Sequence, residues 1–430
     1  MKNLFYFPCV VFSKREGLRV KRSKLANSQS DLPWKEDTVH KEWLRKEAMQ
    51  QLAFFSQSLA PSGQLRSLNW DGSEIIGASQ ELHSTTRLVH SYALGKHLGF
   101  AGSERIIEAG LRALREGHKD QTHGGYIWSF DAKGPCDTKK LAYGHVFVLL
   151  AAASALQAGF DEAYDIISDV CDTLDTYFWD ETVGRFRDEF NSDWTPFSTY
   201  RGMNANMHGA EALLAAHEAT GERHYLDRAG QILDFFVGFI APQYDWRIPE
   251  HYDEDWNVDL HYEGNPMFRP SGTTPGHSFE FARLRLQHWD LTGRPDGTAV
   301  AEARSLIQTA LKDAWLPEGG FCYTLDAEGK IKVRERFWWP VTEAIGAISV
   351  LQQADRQEED EKWYRQLWQF SDQYLIDHTF GGWFGVIDAQ NRPSQTQFKG
   401  KPDIYHSLQA ALIPLTSSIS HLHKALQAIG

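Results

Sequence analysis

Cysteine is scarce in this 430-residue chain: the four thiols, Cys9, Cys136, Cys171 and Cys322, lie far apart with no paired spacing. That pattern argues against a disulfide framework or a cysteine-built zinc site. A reducing, cytoplasmic setting is the expectation that follows. Positive charge is also in deficit, with 44 Lys and Arg against 57 Asp and Glu for a net charge of −13. Such a balance argues against nucleic acid or an anionic membrane as partner, because both select basic surface. No apolar run approaches the length, about 18 residues, that spans a bilayer, so no transmembrane helix is expected. The apolar stretch Met1 to Val11 has the wrong order for a secretory signal, since the basic residues Lys14, Arg15, Arg19, Lys21, Arg22 and Lys24 follow it. Residues 1–35 are expected to form a poorly ordered extension, and 36–430 one folded domain.

Aromatic residues are plentiful, at 13% with 15 tryptophans, and the 42% hydrophobic content suffices for a large core. Sugar clefts set aromatic faces against C–H surfaces while polar groups take the hydroxyls, although most tryptophans in any protein are structural. The expected partner is a neutral small molecule bound by a monomer or homodimer.

Internal repetition sets the architecture. Gly124-Gly125-Tyr126 to Asp131, Gly319-Gly320-Phe321 to Asp326 and Gly381-Gly382-Trp383 to Asp388 share a glycine pair, an aromatic residue, a short alternating run and Asp-Ala. A degenerate copy runs from Trp179 through Gly184-Arg185-Phe186 to Asp188. Glycine pairs release the chain from a helix, and the alternating run forms a small hairpin. Apolar helices are expected near 139–156, 202–219, 338–354 and 403–417, with two more starting near Gln80 and Gly276. Amphipathic, charge-rich helices are expected near 37–57, 102–117, 161–177, 222–239, 297–313 and 359–376. Six apolar helices alternating with six amphipathic ones, at a period of roughly 60 residues, predict an all-α (α/α)6 barrel with an apolar inner ring and short hairpins at one end. An open solenoid of helix pairs is the rival arrangement.

Unusual polar residues cluster at the starts of the apolar helices, on the hairpin side. His83, Arg87 and His90 share a face of the first; Tyr143 and His145 begin the second; Asn204 and His208 are four apart on the third. Pro275-Gly276-His277 opens the fourth, and Glu280, three residues on, is expected to orient the His277 ring. Trp338, Trp339 and Glu343 open the fifth, and Asp403, Tyr405 and His406 the sixth. A histidine held by a carboxylate has a fixed tautomer and moves protons near neutral pH. Each residue alone also has a structural explanation, as a core histidine, a cap or an ion pair. Together, leaving so many polar groups buried and unsatisfied would cost roughly 1–3 kcal/mol apiece; a polyol site accounts for them better. Three histidines would also suit a metal, but His208, His277 and His406 show no short ligand spacing, and neither metal nor cofactor is expected. Glu280 and Glu343 would suit a glycoside hydrolase, yet the histidines favour proton shuttling.

Four blocks, in order, resemble one family: Arg201-Gly-Met-Asn-Ala-Asn-Met-His208; Gly272-Thr-Thr-Pro-Gly-His277 with Glu280; Val333-Arg-Glu-Arg336 with Trp339-Pro340 and Glu343; and Lys401-Pro-Asp-Ile-Tyr-His406. They look like the N-acylglucosamine 2-epimerase superfamily, and within it the aldose–ketose isomerase branch, over about residues 40–420. The resemblance implies an (α/α)6 barrel and a metal-free 1,2-isomerisation through a cis-enediol. It implies His277 and His406 as catalytic residues, one opening the pyranose ring and the other, here assigned to His406, moving the C1/C2 proton. Glu280 would assist His277. Arg87, Tyr143, Asn204, His208, Trp339, Glu343 and Trp383 would hold the sugar or close the site. Where the branch that isomerises a sulfonated sugar carries Trp-Trp-Gln, this chain has Trp383-Phe384-Gly385, and His83 replaces a tryptophan. Both departures favour an ordinary 6-hydroxymethyl sugar, so the expected reaction is D-mannose to D-fructose, with D-lyxose to D-xylulose as a side activity. The alternatives are a mannose/glucose 2-epimerase, a sulfoquinovose isomerase, a glycoside hydrolase and a non-catalytic sugar-binding barrel.

Overall fold

Alternating apolar and amphipathic segments form helices close to where their periodicity places them. In chain order these are α1 (Thr38–Phe55), α2 (Leu82–His97), α3 (Ser103–Ala113), α4 (Ala142–Gln157), α5 (Ala163–Thr173), α6 (Met203–Thr220), α7 (Arg223–Leu233), the single turn α8 (Ala241–Gln243), α9 (Pro275–Leu291), α10 (Ala299–Ala314), α11 (Trp338–Ala354), α12 (Glu358–Phe370), α13 (Tyr405–Leu412) and α14 (Leu422–Gln427). The structure, a computed structural model, describes Leu25, residues 32–264 and residues 269–430. Most of the expected N-terminal extension lies outside the described residues. Its last residues belong to the fold: Trp34 is buried, its backbone N–H donates to Glu361 Oε1 at 2.9 Å, and Lys35 Nζ donates to the Ser349 carbonyl.

The apolar helices form a closed inner ring, α2 against α4, α4 against α6, α6 against α9, α9 against α11, α11 against α13, and α13 back against α2. Each is covered by an amphipathic neighbour, α3, α5, α7, α10, α12 and α1 respectively. This closure is what an open solenoid lacks, and it makes the fold an (α/α)6 barrel. Apolar residues line nearly every face of α4 and α11 because both sides are buried, one against neighbouring inner helices and one against the outer layer. Pro414 ends α13 after two turns and a 3-10 turn, shorter than the sequence pattern suggests. Among the described residues, no helix is long and apolar enough to cross a membrane.

Short strands gather the inner-helix N-termini at one end. The two residues entering α2, α4, α6 and α11 pair antiparallel with a strand one repeat later: Gln80–Glu81 with Ser129–Asp131, Lys140–Leu141 with Glu189–Phe190, Arg201–Gly202 with His251–Tyr252, and Arg336–Phe337 with Val386–Ile387. Before α9, Thr273 makes the equivalent bridge to Leu325, and Lys401 N–H closes the circle on the Leu68 carbonyl at 2.9 Å. Cations entering the inner helices also tie down the glycine turns. Lys140 Nζ donates to the Gly124 carbonyl at 2.9 Å and Asp120 at 2.7 Å, and Arg336 donates to the Gly319 carbonyl at 2.7 Å.

Candidate active site

Because side chains lean towards the N-terminus of their helix, side chains from the N-terminal halves of the six inner helices converge beneath the hairpins. Two histidine–carboxylate pairs lie there. His406, from α13, shares its Nδ1 with Glu343 Oε1 of α11 at 2.7 Å, and His277, from α9, shares its Nδ1 with Glu250 Oε1 at 2.8 Å. Among the described residues neither Nε2 has a hydrogen-bond partner, so each ring presents its far nitrogen to the site. The indole of Trp339 lies between them, with ring centroids 5.0 Å from His277 and 5.9 Å from His406. Gly276 makes this possible: a Cβ there would sit 2.2 Å from Trp339 Cζ3, so only glycine lets the indole lie against the start of α9.

Glu280 does not orient His277, contrary to the expectation from i,i+3 spacing. His277 sits in the first turn and points back towards the preceding loop, where Glu250 waits, while Glu280 lies one turn deeper. There its Oε1 is 3.4 Å from His208 Nδ1 and 3.5 Å from Arg283 Nη2. Arg283 is nearly fully buried and also lies 3.4 Å from both Glu211 and Glu343. Three carboxyls thus surround one guanidinium. Burial, reinforced by the Glu343 and Glu211 charges, pushes the Glu280 carboxyl well above the usual carboxylate range, so of the three it is the one whose protonated form is favoured. Burial would raise Glu211 and Glu343 too, but the His208 hydrogen bond and Arg283 hold Glu211 down, and Arg283 and the His406 hydrogen bond hold Glu343 down. Burial lowers His208 to about 4, leaving that ring neutral at pH 7. The Tyr405 hydroxyl donates to Glu211 Oε2.

On α2, Arg87 donates to Asp403 Oδ2 at 2.7 Å and to the Tyr143 hydroxyl at 2.8 Å, with its guanidinium over the rings of Phe147 and Tyr405. Burial would raise Asp403, but Arg87 keeps it below the ordinary range. Tyr143 packs edge-on against His208 at 5.4 Å. Asn204 keeps a buried Oδ1 without a hydrogen-bond partner among the described residues, whereas Asn206, two residues on, is spent on the backbone of Phe186 and Gly202. His83 stacks on Trp128 at 5.1 Å beside this cluster, and burial lowers it to about 3.

The structure therefore brings Arg87, Tyr143, His208, His277, Glu280, Trp339, Glu343 and His406 together. It does not bring Trp383, which is 1% exposed and turns outward from its glycine turn to donate to Glu47 Oε1 of α1 at 3.1 Å and pack on Trp368. Trp383 is a packing residue between outer helices. Glu211, Arg283 and the pairing of Glu250 were not anticipated. For the first two a signal existed: each is a charge three residues after a site residue, His208 or Glu280, and so on the same face of its helix. No local spacing joins Glu250 to His277. Ligand atoms of His208, Glu211 and Glu280, and of Glu280, Glu343 and His406, lie within 4.8 Å of one another, as a divalent cation would need. The Arg283 guanidinium already supplies positive charge between those carboxyls, so the donor set fits an internal ion-pair network better than a metal centre.

Comparison with known proteins places the chain in one family. Residues 63–410 match the family described as N-acylglucosamine 2-epimerase (GlcNAc 2-epimerase). A D-mannose isomerase of Thermobifida fusca is 36% identical over 404 residues, covering 92% of this chain and 99% of the relative. One from Pseudomonas cannabina pv. alisalensis is 34% identical over 413 residues, covering 94% and 99%. A crystal structure described as D-mannose isomerase superposes with a TM-score of 0.83 at 33% identity, covering 87% of this chain and 97% of that one.

Proposed function

Since the chain belongs to the N-acylglucosamine 2-epimerase family, we propose that it is an aldose–ketose isomerase interconverting D-mannose and D-fructose, with D-lyxose and D-xylulose as a second pair. The observation that carries this reading is the pair of histidines on either side of Trp339, each with Nδ1 on a carboxylate and Nε2 turned to the site. In the opened sugar, His406 Nε2 takes the proton from C2, the C2 electrons form the C1=C2 bond of an enediol, and O1 takes up a proton. Collapse then returns the carbon-bound proton to C1 while the O2 hydroxyl loses its own and becomes the ketone. His277 Nε2 opens the ring by taking the proton of the O1 hydroxyl and giving it to the ring oxygen as the C1–O5 bond breaks and C1=O forms. The Arg87 guanidinium and the Glu280 carboxyl donate to sugar oxygens, and buried donors of this kind stabilise the developing enediolate more than they would in water. Asn204 Oδ1 accepts from a hydroxyl, Tyr143 and His208 line the wall, and Trp339 lies under the sugar's C–H surface.

Proton NMR of D-mannose in D2O with EDTA-treated protein tests this. Fructose is the expected product, lost in both His277→Ala and His406→Ala. Glucose as the main product would replace the isomerase by a 2-epimerase, and an unchanged spectrum would remove both.

A further inference from the structure

His277 and His406 are both paired through Nδ1, but their carboxylates are held in different ways. Glu343 comes from the adjacent inner helix and shares its charge with Arg283 at 3.4 Å. Glu250 comes from the connection between α8 and α9, 27 residues before His277. It is 4% exposed, and its Oε1 accepts from His277 Nδ1 at 2.8 Å and from the Thr274 backbone N–H at 3.1 Å.

Its backbone is fixed independently of that contact. The Met203 N–H donates to the Glu250 carbonyl at 3.0 Å, the next two residues form the strand His251–Tyr252 against Arg201–Gly202, and the preceding Pro249 bridges Thr273. The neighbouring His251 ring is itself pinned, Nδ1 to the Tyr200 hydroxyl at 2.9 Å and Nε2 to the Pro270 carbonyl at 2.8 Å. The entry to α6 therefore places a carboxylate at the start of α9. Thr274, the residue before α9, makes no side-chain cap of its own, so Glu250 also satisfies a helix N-terminal N–H, where a negative charge is favoured.

We infer that Glu250 is the positioning residue of His277: by accepting from Nδ1 it fixes the tautomer in which Nε2 carries the lone pair and faces the sugar. In this role it acts through the imidazole and not on the sugar itself. The inference rests on the proposed role of His277, and it assigns to a loop carboxylate the part that spacing had suggested for Glu280. Leucine is the informative substitution: Oε1 accepts from both Thr274 and His277 Nδ1, so glutamine could keep both contacts, whereas leucine fills the same space with no acceptor and leaves the imidazole without the bond that fixes its tautomer.

The experiment combines kinetics with a readout independent of turnover. Histidine-selective 15N labelling with long-range 1H–15N correlation, the His277 signals assigned by their loss in His277→Asn, reports which ring nitrogen is protonated. In the wild type Nδ1 should carry the proton, and Glu250→Leu, which removes the acceptor, should shift it towards Nε2, the form a neutral imidazole prefers when nothing accepts from Nδ1. The same variant should lower kcat about 100-fold, the lower part of the range a general acid–base group contributes, with KM changed less than about twofold. Unchanged kcat, or a fall in kcat with the wild-type tautomer retained, overturns the inference, the second outcome revealing a merely structural role. A shifted tautomer in a protein that converts no mannose supports the positioning role and removes the proposed function instead.

Discussion

At the scale of single residues, the site depends on how closely Trp339 approaches α9. A methyl group at position 276 would collide with the indole at 2.2 Å, and a packed interior has no slack to absorb it. Gly276→Ala is expected to push Trp339 off the two histidines. A displacement of about 1 Å at reacting groups costs about 100-fold in rate, so kcat/KM for mannose should fall by that order while the overpacking costs only about 1–3 kcal/mol of stability. Steady-state kinetics beside urea denaturation separates the two effects. The motif Pro275-Gly276-His277 was conspicuous in the sequence for its histidine; its glycine proves equally specific, for a reason of space rather than of backbone angle.

At the scale of elements, the repeated Gly-Gly-aromatic turn serves packing more than substrate. Trp383 follows the turn after α12 and bonds to Glu47 of α1, stitching the last outer helix to the first. Trp383→Phe should therefore cost about 1 kcal/mol of stability, the usual net value of one hydrogen bond, and leave kcat/KM for mannose unchanged. A fall in kcat/KM without loss of stability would return Trp383 to the sugar site. Helix positions were legible because apolar periodicity is a local property. The Glu250–His277 pair was not, because it depends on strand His251–Tyr252 choosing Arg201–Gly202 as its partner, a pairing between separate repeats.

At the scale of the whole molecule, burial of many neutral histidines makes the fold acid-sensitive. Burial lowers His40, His83 and His145 to about 3 and His90, His118 and His208 to about 4. An unfolded histidine titrates near 6.5, so below that pH the unfolded chain binds protons that the folded chain refuses, and stability falls as pH drops from about 6.5 towards 4. Buried carboxyls act in the opposite sense, since burial raises Asp188 and Glu218 to about 7 and lifts Glu280 well above its ordinary range; they favour the fold more as pH drops towards their unfolded range near 4. Six histidines against three carboxyls leave a net loss, each group acting with a slope of about 1.4 kcal/mol per pH unit at most. Urea midpoints should drop steeply between pH 6.5 and 4.5; midpoints that stay level would contradict the neutral state of these buried rings.

The sequence by itself determined the helices, their alternation in two layers, the end of the barrel at which the polar residues gather, and the inward histidines, because each is encoded in periodicity, turn residues and motifs within one repeat. Only the tertiary structure decided which carboxylate serves which histidine, which acid beside Arg283 burial pushes up, and that Trp383 faces the outer layer. Those outcomes arise where side chains from different repeats meet in a dry interior. There, distances of 3–4 Å and the cost of unpaired charge set the pairing, and spacing along the chain carries no record of either.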